Sequence, residues 1–130
     1  METITFEEFK KVEIKIGKII SAEKVEGSDK LLKLEVDFGP STNSTSSPQA
    51  SSGQEVLETG RIVKRQIIAG IAQFYAPEAL IGKECPFAYN LAPRVLKGLE
   101  SQGMILCPSD NGSPVLLHPD KEIPPGSEVK

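Results

Sequence analysis

Residues 90–106 constrain the fold of this chain most strongly, because they cannot form a continuous helix. Pro93, Gly98 and Gly103 interrupt the stretch at regular intervals, and each of these residue types breaks a helix. Residues 104–106 at its end are apolar and are expected to enter the core. We therefore predict an exposed, irregular segment that leads directly into a buried strand.

Alternating apolar and polar residues predict two strands before the chain's Ser-rich part. Residues 32–38 alternate strictly, as a half-buried strand does, and residues 12–16 show the same pattern. Gly17 interrupts the second pattern and predicts a bulge or the bend of a small barrel. Further short strands are expected over 66–71, 85–89, 104–107 and 115–117.

Two short helices are expected as well. Thr5 and Glu8 have the spacing of a capping box, and Phe6 and Phe9 are then expected to share one buried face. Residues 76–82 carry a proline near the start and a glycine at the end, which is typical of a single helical turn. Many short strands with few helices indicate a small all-β barrel, and the pattern alone leaves both an OB barrel and an SH3-like barrel open.

Residues 40–60 differ in composition from the rest. Beyond Pro40 they hold six Ser and three Thr, with no Lys or Arg and few large apolar residues. Such a composition cannot offset the entropy lost on ordering, so we expect a mobile insertion within one domain that spans 1–130.

Several classes of protein are disfavoured. Cys85 and Cys107 are far apart and belong to no C-x-x-C pair, and with His118 they are too few for a zinc site, so reduced and largely buried thiols are expected. No catalytic motif occurs. The acidic N-terminus and the lack of a long apolar stretch predict a cytoplasmic chain without a signal peptide or a membrane span. We expect no catalysis, metal or cofactor.

The charge is unevenly distributed. The chain has a net charge of −3, yet residues 61–107 carry six Lys or Arg and only three Glu. This positive segment contains the stretch 90–106.

Cations on phosphates and hydrogen bonds to bases are what RNA recognition requires. Arg65, Arg94 and Lys97 could supply the charge, Asn90, Ser101 and Gln102 the hydrogen bonds, and Met104 a soft contact. The aromatic residues Phe74, Tyr75, Phe87 and Tyr89 are assigned to the core, so base stacking is the weakest part of this hypothesis.

The motif Asn-Leu-x-Pro-Arg, followed by Gly-x-Glu-Ser-Gln-Gly-Met-Ile-Leu, resembles the signature of the tRNA-binding OB domains. These domains occur at the C-terminus of methionyl-tRNA synthetases and as freestanding homodimeric tRNA-binding proteins, and CsaA-like proteins are their relatives. The resemblance implies an all-β, five-stranded OB-fold barrel. It also implies that the segment after Cys107 is an appendage used in dimerisation, and that residues 40–60 lengthen a turn that is normally short.

The resemblance further implies a non-catalytic module that binds tRNA by shape and backbone contacts, either alone or in association with methionyl-tRNA synthetase. A CsaA-like, chaperone-type peptide-binding protein and an assembly module of a synthetase complex remain as alternatives. The family's RNA-facing positions correspond to Asn90, Arg94, Ser101 and Met104. Together with Lys97, Arg65, Lys30 and Lys33 they form the predicted RNA-binding set.

Overall fold

The computed structural model describes residues 1–40 and 62–130, so the predicted insertion lies outside the described residues except for Pro40. The helices are α1 (Phe6–Phe9) and α2 (Pro77–Leu80). The strands are β1 (Ile14–Lys24), β2 (Leu32–Pro40), β3 (Ile62–Ala69), β4 (Glu84–Ala88), β5 (Arg94–Leu96), β6 (Leu99–Ser101), β7 (Met104–Ile105), β8 (Ser109–Asp110), β9 (Ser113–Pro114) and β10 (Glu128–Val129).

One long strand, β1, organises the main sheet. The strand order is β3-β2-β1-β4-β7, and β10 also pairs with β1 near Ile14. The first half of β1 pairs with β4 and the second half with β2, so that Lys18 is opposite both Glu84 and Asp37. A strand that serves two partners in this way curls the sheet. The prediction of an all-β fold of the OB type is confirmed.

The core lies inside the curl of this sheet. Leu32, Leu34 and Val36 are fully buried, which confirms the strand predicted from the alternation over 32–38. The rings of Phe38 and Phe87 meet edge to face with centroids 5.4 Å apart. Ile19, Ile67, Leu80 and Cys85 complete the fully buried part of the cluster.

Both predicted helices form, but the burial expected for α1 was wrong. The capping box is present: the Thr5 hydroxyl accepts from the Glu8 amide, and the Glu8 carboxylate accepts from the Thr5 amide. Phe6 and Phe9, however, are 67% and 42% exposed. The reason is that α1 has only four residues and its rings border a shallow surface cleft beside Val129. Neither helix of the described chain approaches the length of about 20 residues that crossing a membrane requires.

Two strand predictions also need correction. The bulge that was one of the two possibilities predicted for Gly17 lies instead between Ile19 and Ser21. Gly17 is needed because a side chain there would collide with Val36 and Phe38. Residues 115–117 do not form a strand. The prolines around them lack amide hydrogens, and the Leu116 amide donates instead to the Tyr75 hydroxyl at 3.3 Å.

Candidate nucleic-acid interface

Strands β5 and β6 form a hairpin within the motif region. The register pairs Arg94 with Ser101 and Leu96 with Leu99, which leaves Lys97 and Gly98 as a two-residue turn. Both turn residues have positive φ, 51° and 79°, as a type I′ turn requires. Glycine adopts this conformation without strain. The hairpin therefore holds the exposed Lys97 at its tip and the exposed Arg94 at its base.

Residues 101–103, at the end of the hairpin and directly after it, close the barrel along the outer edge of β3, and we call them the closing segment. The Ser101 hydroxyl accepts from the Ile68 amide at 2.9 Å and donates to the Gly103 carbonyl at 3.0 Å. The Gln102 side-chain oxygen accepts from the Gln66 amide at 3.0 Å, and the Gln102 amide donates to the Gln66 carbonyl at 2.8 Å. Two side chains thus satisfy the β3 amides that a neighbouring strand would otherwise satisfy, and the main chain of Gln102 satisfies the Gln66 carbonyl.

Ser101 is consequently not directed at solvent. The residue is only 4% exposed, and both its donor and its oxygen already have protein partners. The structure therefore places this predicted RNA-binding residue in the framework beneath the surface.

Arg65 likewise has structural partners. It is opposite Val36 in the β2–β3 ladder, so its side chain starts on the core face of the sheet. Its guanidinium donates to the carbonyls of Tyr89 and Gln102 and lies 3.7 Å from the centre of the Tyr89 ring. Arg65 joins β3, the end of β4 and the closing segment.

Asn90 ties the N-terminal segment to the end of β4. Its side-chain oxygen accepts from the Glu13 amide at 2.8 Å, and its side-chain nitrogen donates to the Lys11 carbonyl at 2.6 Å. The amide group of this predicted RNA-binding residue is thus already bonded on both sides.

A polar groove of about 400 Å³ runs over the outer face of β1, β2 and β3, next to the closing segment. Lys33 and Lys64 border it on neighbouring strands, with Gln66 between Lys64 and the closing segment. The Lys33 ammonium lies 2.8 Å from the Glu23 carboxylate, which reduces the free charge at that end. Ser21, Glu23, Glu35 and Gln102 add to the lining, together with Leu34 and Arg65, whose side chains start on the core face.

The predicted set therefore falls into separate places. Lys33 and Arg65 border the groove, and Arg94 and Lys97 lie on the hairpin. Met104 is 44% exposed in β7, so the expectation that it enters the core with residues 105–106 is wrong. Lys30 lies in the β1–β2 turn and does not border the groove.

Sequence reasoning missed Lys64 and Gln66. Both lie on the outer face of β3, opposite Asp37 and Glu35. A period-two pattern could have revealed them, but Arg65 occupies the core face between them and hides the alternation.

Within residues 1–40 and 62–130, no cluster of acidic, Cys and His side chains could hold a metal ion. The Cys85 sulfur lies 3.9 Å from His118 Nδ1, which donates to the Glu84 carbonyl at 2.8 Å. Burial raises the pKa of the Cys85 thiol to about 12, with a smaller contribution from the neighbouring Cys107. Burial also raises the pKa of Cys107. Both cysteines are free thiols, as predicted, with Cys107 only half-buried.

A curled sheet with a polar groove over strands 2 and 3, and with a cationic hairpin along its closing edge, defines an OB-type ligand-binding domain. The family model described as "Putative tRNA binding domain" matches residues 53–128. The chain belongs to this tRNA-binding domain family.

Methionine–tRNA ligases are among its relatives in sequence. The chain is 41% identical over 129 residues to the enzyme of Caldanaerobacter subterraneus subsp. tengcongensis and 45% identical over 127 residues to that of Methanospirillum hungatei. These matches cover 99% and 98% of the chain but only 17% and 16% of the enzymes. The chain thus spans about a sixth of the length of these relatives.

Two solved structures are similar to this chain over all or nearly all of its length. A MetRS-related protein from Pyrococcus horikoshii is 34% identical, with a TM-score of 0.79 and complete coverage of both chains. The chaperone CsaA from Bacillus anthracis is 27% identical, with a TM-score of 0.75 and coverage of 99% of this chain and 100% of CsaA.

Proposed function

We propose that this chain binds tRNA as a non-catalytic module. The observation that carries the proposal is the pair of exposed cations on the hairpin, beside the polar groove. Arg94 and Lys97 are exposed on the hairpin, and Lys33 and Lys64 border the adjacent groove. The two groove lysines are balanced by Glu23 and Glu35, whereas the hairpin carries two cations and one carboxylate, Glu100. A local positive surface of this kind attracts phosphates even though the whole chain has a net charge of −3. Membership of the tRNA-binding domain family supports the same ligand.

The residues of the proposed interface have two kinds of role. Arg94, Lys97, Lys33 and Lys64 would contact phosphates, with Lys30 at the end of the barrel. Met104, which is 44% exposed, would offer a soft apolar contact. Asn90, Ser101 and Arg65 would act as positioning residues, because their polar groups already bond to the backbone.

The test is filter binding of folded tRNA over a range of salt concentrations. Arg94→Ala should weaken binding and lower the slope of log K against log salt by about 1, because one phosphate contact is lost. Lys121→Ala is the matched control, since Lys121 is an exposed cation between Asp120 and Glu122. If the wild-type protein has no affinity for tRNA at low salt, the proposal fails. If Arg94→Ala behaves like the control, tRNA binds elsewhere.

The proposal includes that the module works together with methionyl-tRNA synthetase. The chain is similar over its whole length to a MetRS-related protein, which supports a freestanding arrangement. It is also similar to about a sixth of the length of several methionine–tRNA ligases, which supports a fused arrangement. In both cases the module would raise the effective concentration of tRNA near a synthetase. The cytoplasm is the proposed location, because these partners work there.

We also propose that the chain forms a homodimer. Val115 and Leu117 in the C-terminal appendage are 46% and 44% exposed, although both are apolar. Phe6 and Phe9 of α1 add a second exposed apolar surface. Pairing of two copies would remove such surfaces from water.

A second candidate function is peptide binding. The likeness to CsaA and an apolar cleft of about 380 Å³ beside α1 favour it specifically. Binding of an apolar peptide would vary little with salt, whereas tRNA binding must fall steeply. A protein-assembly role is the third alternative. A protein with this role would bind neither tRNA nor an apolar peptide, but it would capture a synthetase.

A further inference from the structure

Phe74 is an aromatic side chain that the core does not use. It is 47% exposed, whereas the sequence predicted it to be buried with Tyr75, Phe87 and Tyr89. Phe87 is fully buried and Tyr89 packs against Phe38. Phe74 is therefore available for contact with a ligand.

The loop that carries Phe74, between β3 and α2, is held at several points. The Phe74 amide donates to the Ile71 carbonyl at 3.0 Å, and the Ala72 amide donates to the Lys30 carbonyl at 3.0 Å. The hydroxyl of the adjacent Tyr75 donates to the Pro114 carbonyl at 3.3 Å. Folding has thus already ordered the backbone under the ring, so that a ligand stacking on it would lose little further entropy.

The ring borders a shallow cleft of about 670 Å³ between this loop and the end of β1. Glu23, Lys24, Gln73 and Glu78 provide its charged and amide side chains. Two carboxylates against one ammonium make the cleft a poor site for a phosphate. The same groups suit the edge of a nucleobase, because carboxylate and amide oxygens accept from the N–H groups of the base.

The cleft adjoins the polar groove at Glu23. Glu23 borders both, and its carboxylate is paired with Lys33 on the groove side. A strand whose phosphates follow Lys33 and Lys64 would therefore reach Phe74 as it leaves the groove. The two sites together offer cations for the backbone and a flat ring for a base, which is the combination that single-stranded RNA requires.

We propose that the Phe74 cleft receives one unpaired nucleobase of the bound RNA, stacked on the Phe74 ring. This inference rests on the proposed tRNA-binding function and adds to it the site that recognises a base. The ring contributes affinity without neutralising a phosphate.

Binding measurements on two variants test the ring. Phe74→Leu keeps an apolar side chain but loses the aromatic face, and should weaken tRNA binding about 5- to 150-fold with an unchanged salt slope. Phe74→Tyr keeps the face and should bind like the wild type. Circular dichroism verifies that both variants are folded.

Fluorescence supplies a second and independent measurement, because the chain contains no tryptophan. A base that stacks on the indole of Phe74→Trp should quench its emission when tRNA is added. The control is Ile81→Trp, since Ile81 is 52% exposed and borders neither the cleft nor the groove. Its emission should stay unchanged.

The outcomes separate the two proposals. If the wild type binds tRNA but Phe74→Leu binds within twofold of it, or if Phe74→Trp is not quenched, the stacking site is refuted and the tRNA-binding function stands. If the wild type does not bind tRNA at low salt, the function and the stacking site both fail. Quenching of Phe74→Trp by a basic peptide in such a protein would assign the acidic cleft to a protein ligand instead.

Discussion

At the scale of single residues, the polar side chains of the interface divide into two groups. Ser101, Gln102 and Arg65 bond to groups of the protein itself and hold the barrel closed. Arg94 and Lys97 are exposed, and the described residues include no carboxylate paired with either of them. Substitutions in the first group should therefore change stability first, and those in the second should change affinity first.

Ser101→Ala tests the first group. The change removes the acceptor of the buried Ile68 amide, and a buried donor left without a partner costs about 1–3 kcal/mol of stability. Urea denaturation should give this loss, while the exposed control Ser109→Ala should stay within about 0.5 kcal/mol of the wild type. A Ser101→Ala protein that is as stable as the wild type but loses tRNA affinity would show that the hydroxyl contacts RNA directly.

Cys85 should be unreactive in the folded protein. Its pKa is raised from 9.0 to about 12, chiefly by burial, and the thiolate is the form that attacks thiol reagents. At pH 8 Ellman's reagent should modify Cys85 only after denaturation, and Cys85→Ala identifies its share of the signal. Rapid native labelling of Cys85 would contradict the burial.

The same pKa predicts a loss of stability in alkali. The folded protein keeps the Cys85 proton to a higher pH than the unfolded chain does, so unfolding releases this proton above pH 9.0. The contribution of Cys85 to stability is complete below about pH 9 and is lost as the pH rises towards 12. Cys85→Ala should lack this component of the alkaline decline.

At the scale of secondary-structure elements, the β5–β6 hairpin connects local chain geometry to binding. Its turn needs positive φ at both central residues, and a lysine occupies the first of them, where φ is 51°. Asparagine tolerates this conformation better than lysine does, and Asn-Gly is a preferred type I′ pair. The Lys97 side chain is therefore not the best choice for the turn alone.

Lys97→Asn removes the charge at the hairpin tip and places a residue there that favours the turn. Thermal stability should be equal to or slightly higher than that of the wild type, because the turn is favoured. Affinity for tRNA should fall, and the salt slope should decrease by about 1. Lys97→Arg, which keeps the charge, is the control for affinity. Unchanged tRNA binding by Lys97→Asn would remove the hairpin tip from the proposed interface.

The elements differ in how far the sequence predicts them. Local patterns were sufficient for β2, with its strict alternation over 32–38, and for α1, with its capping box. Contacts distant in sequence were not predictable. The partners of Ser101 and Gln102 lie 33 and 36 residues away, so the motif identified these side chains but not their closing role. The exposure of Phe6, Phe9 and Phe74 was not predictable either, because it depends on which surfaces the rest of the chain covers.

At the scale of the whole molecule, exposed apolar side chains of residues 1–40 and 62–130 cluster at two places outside the hairpin region, which itself exposes Leu91, Val95 and Met104. One is the α1 cleft with Phe6 and Phe9, and the other is the appendage with Val115 and Leu117. Ile81, which is 52% exposed, borders none of the clefts described above. A homodimer would be expected to use the concentrated surfaces and to leave Ile81 in solvent.

Sedimentation equilibrium at micromolar concentration should therefore detect a dimer. Phe6→Glu and Leu117→Glu should each weaken association, because each introduces a charge into an apolar surface that pairing would bury. Ile81→Glu should leave the dimer intact. A wild-type species of 14.1 kDa, the mass of one chain, would contradict the proposal.

Because Ser101 and Gln102 close the barrel, the amides of Ile68 and Gln66 can report whether the barrel opens there. Each of these amide hydrogens is covered by one side chain from the closing segment. Lifting that segment away would expose both to deuterated solvent while the rest of the sheet stays paired. Their exchange rates therefore measure the free energy of a local opening, distinct from global unfolding. A ligand that binds across the groove and the hairpin would slow these two amides together.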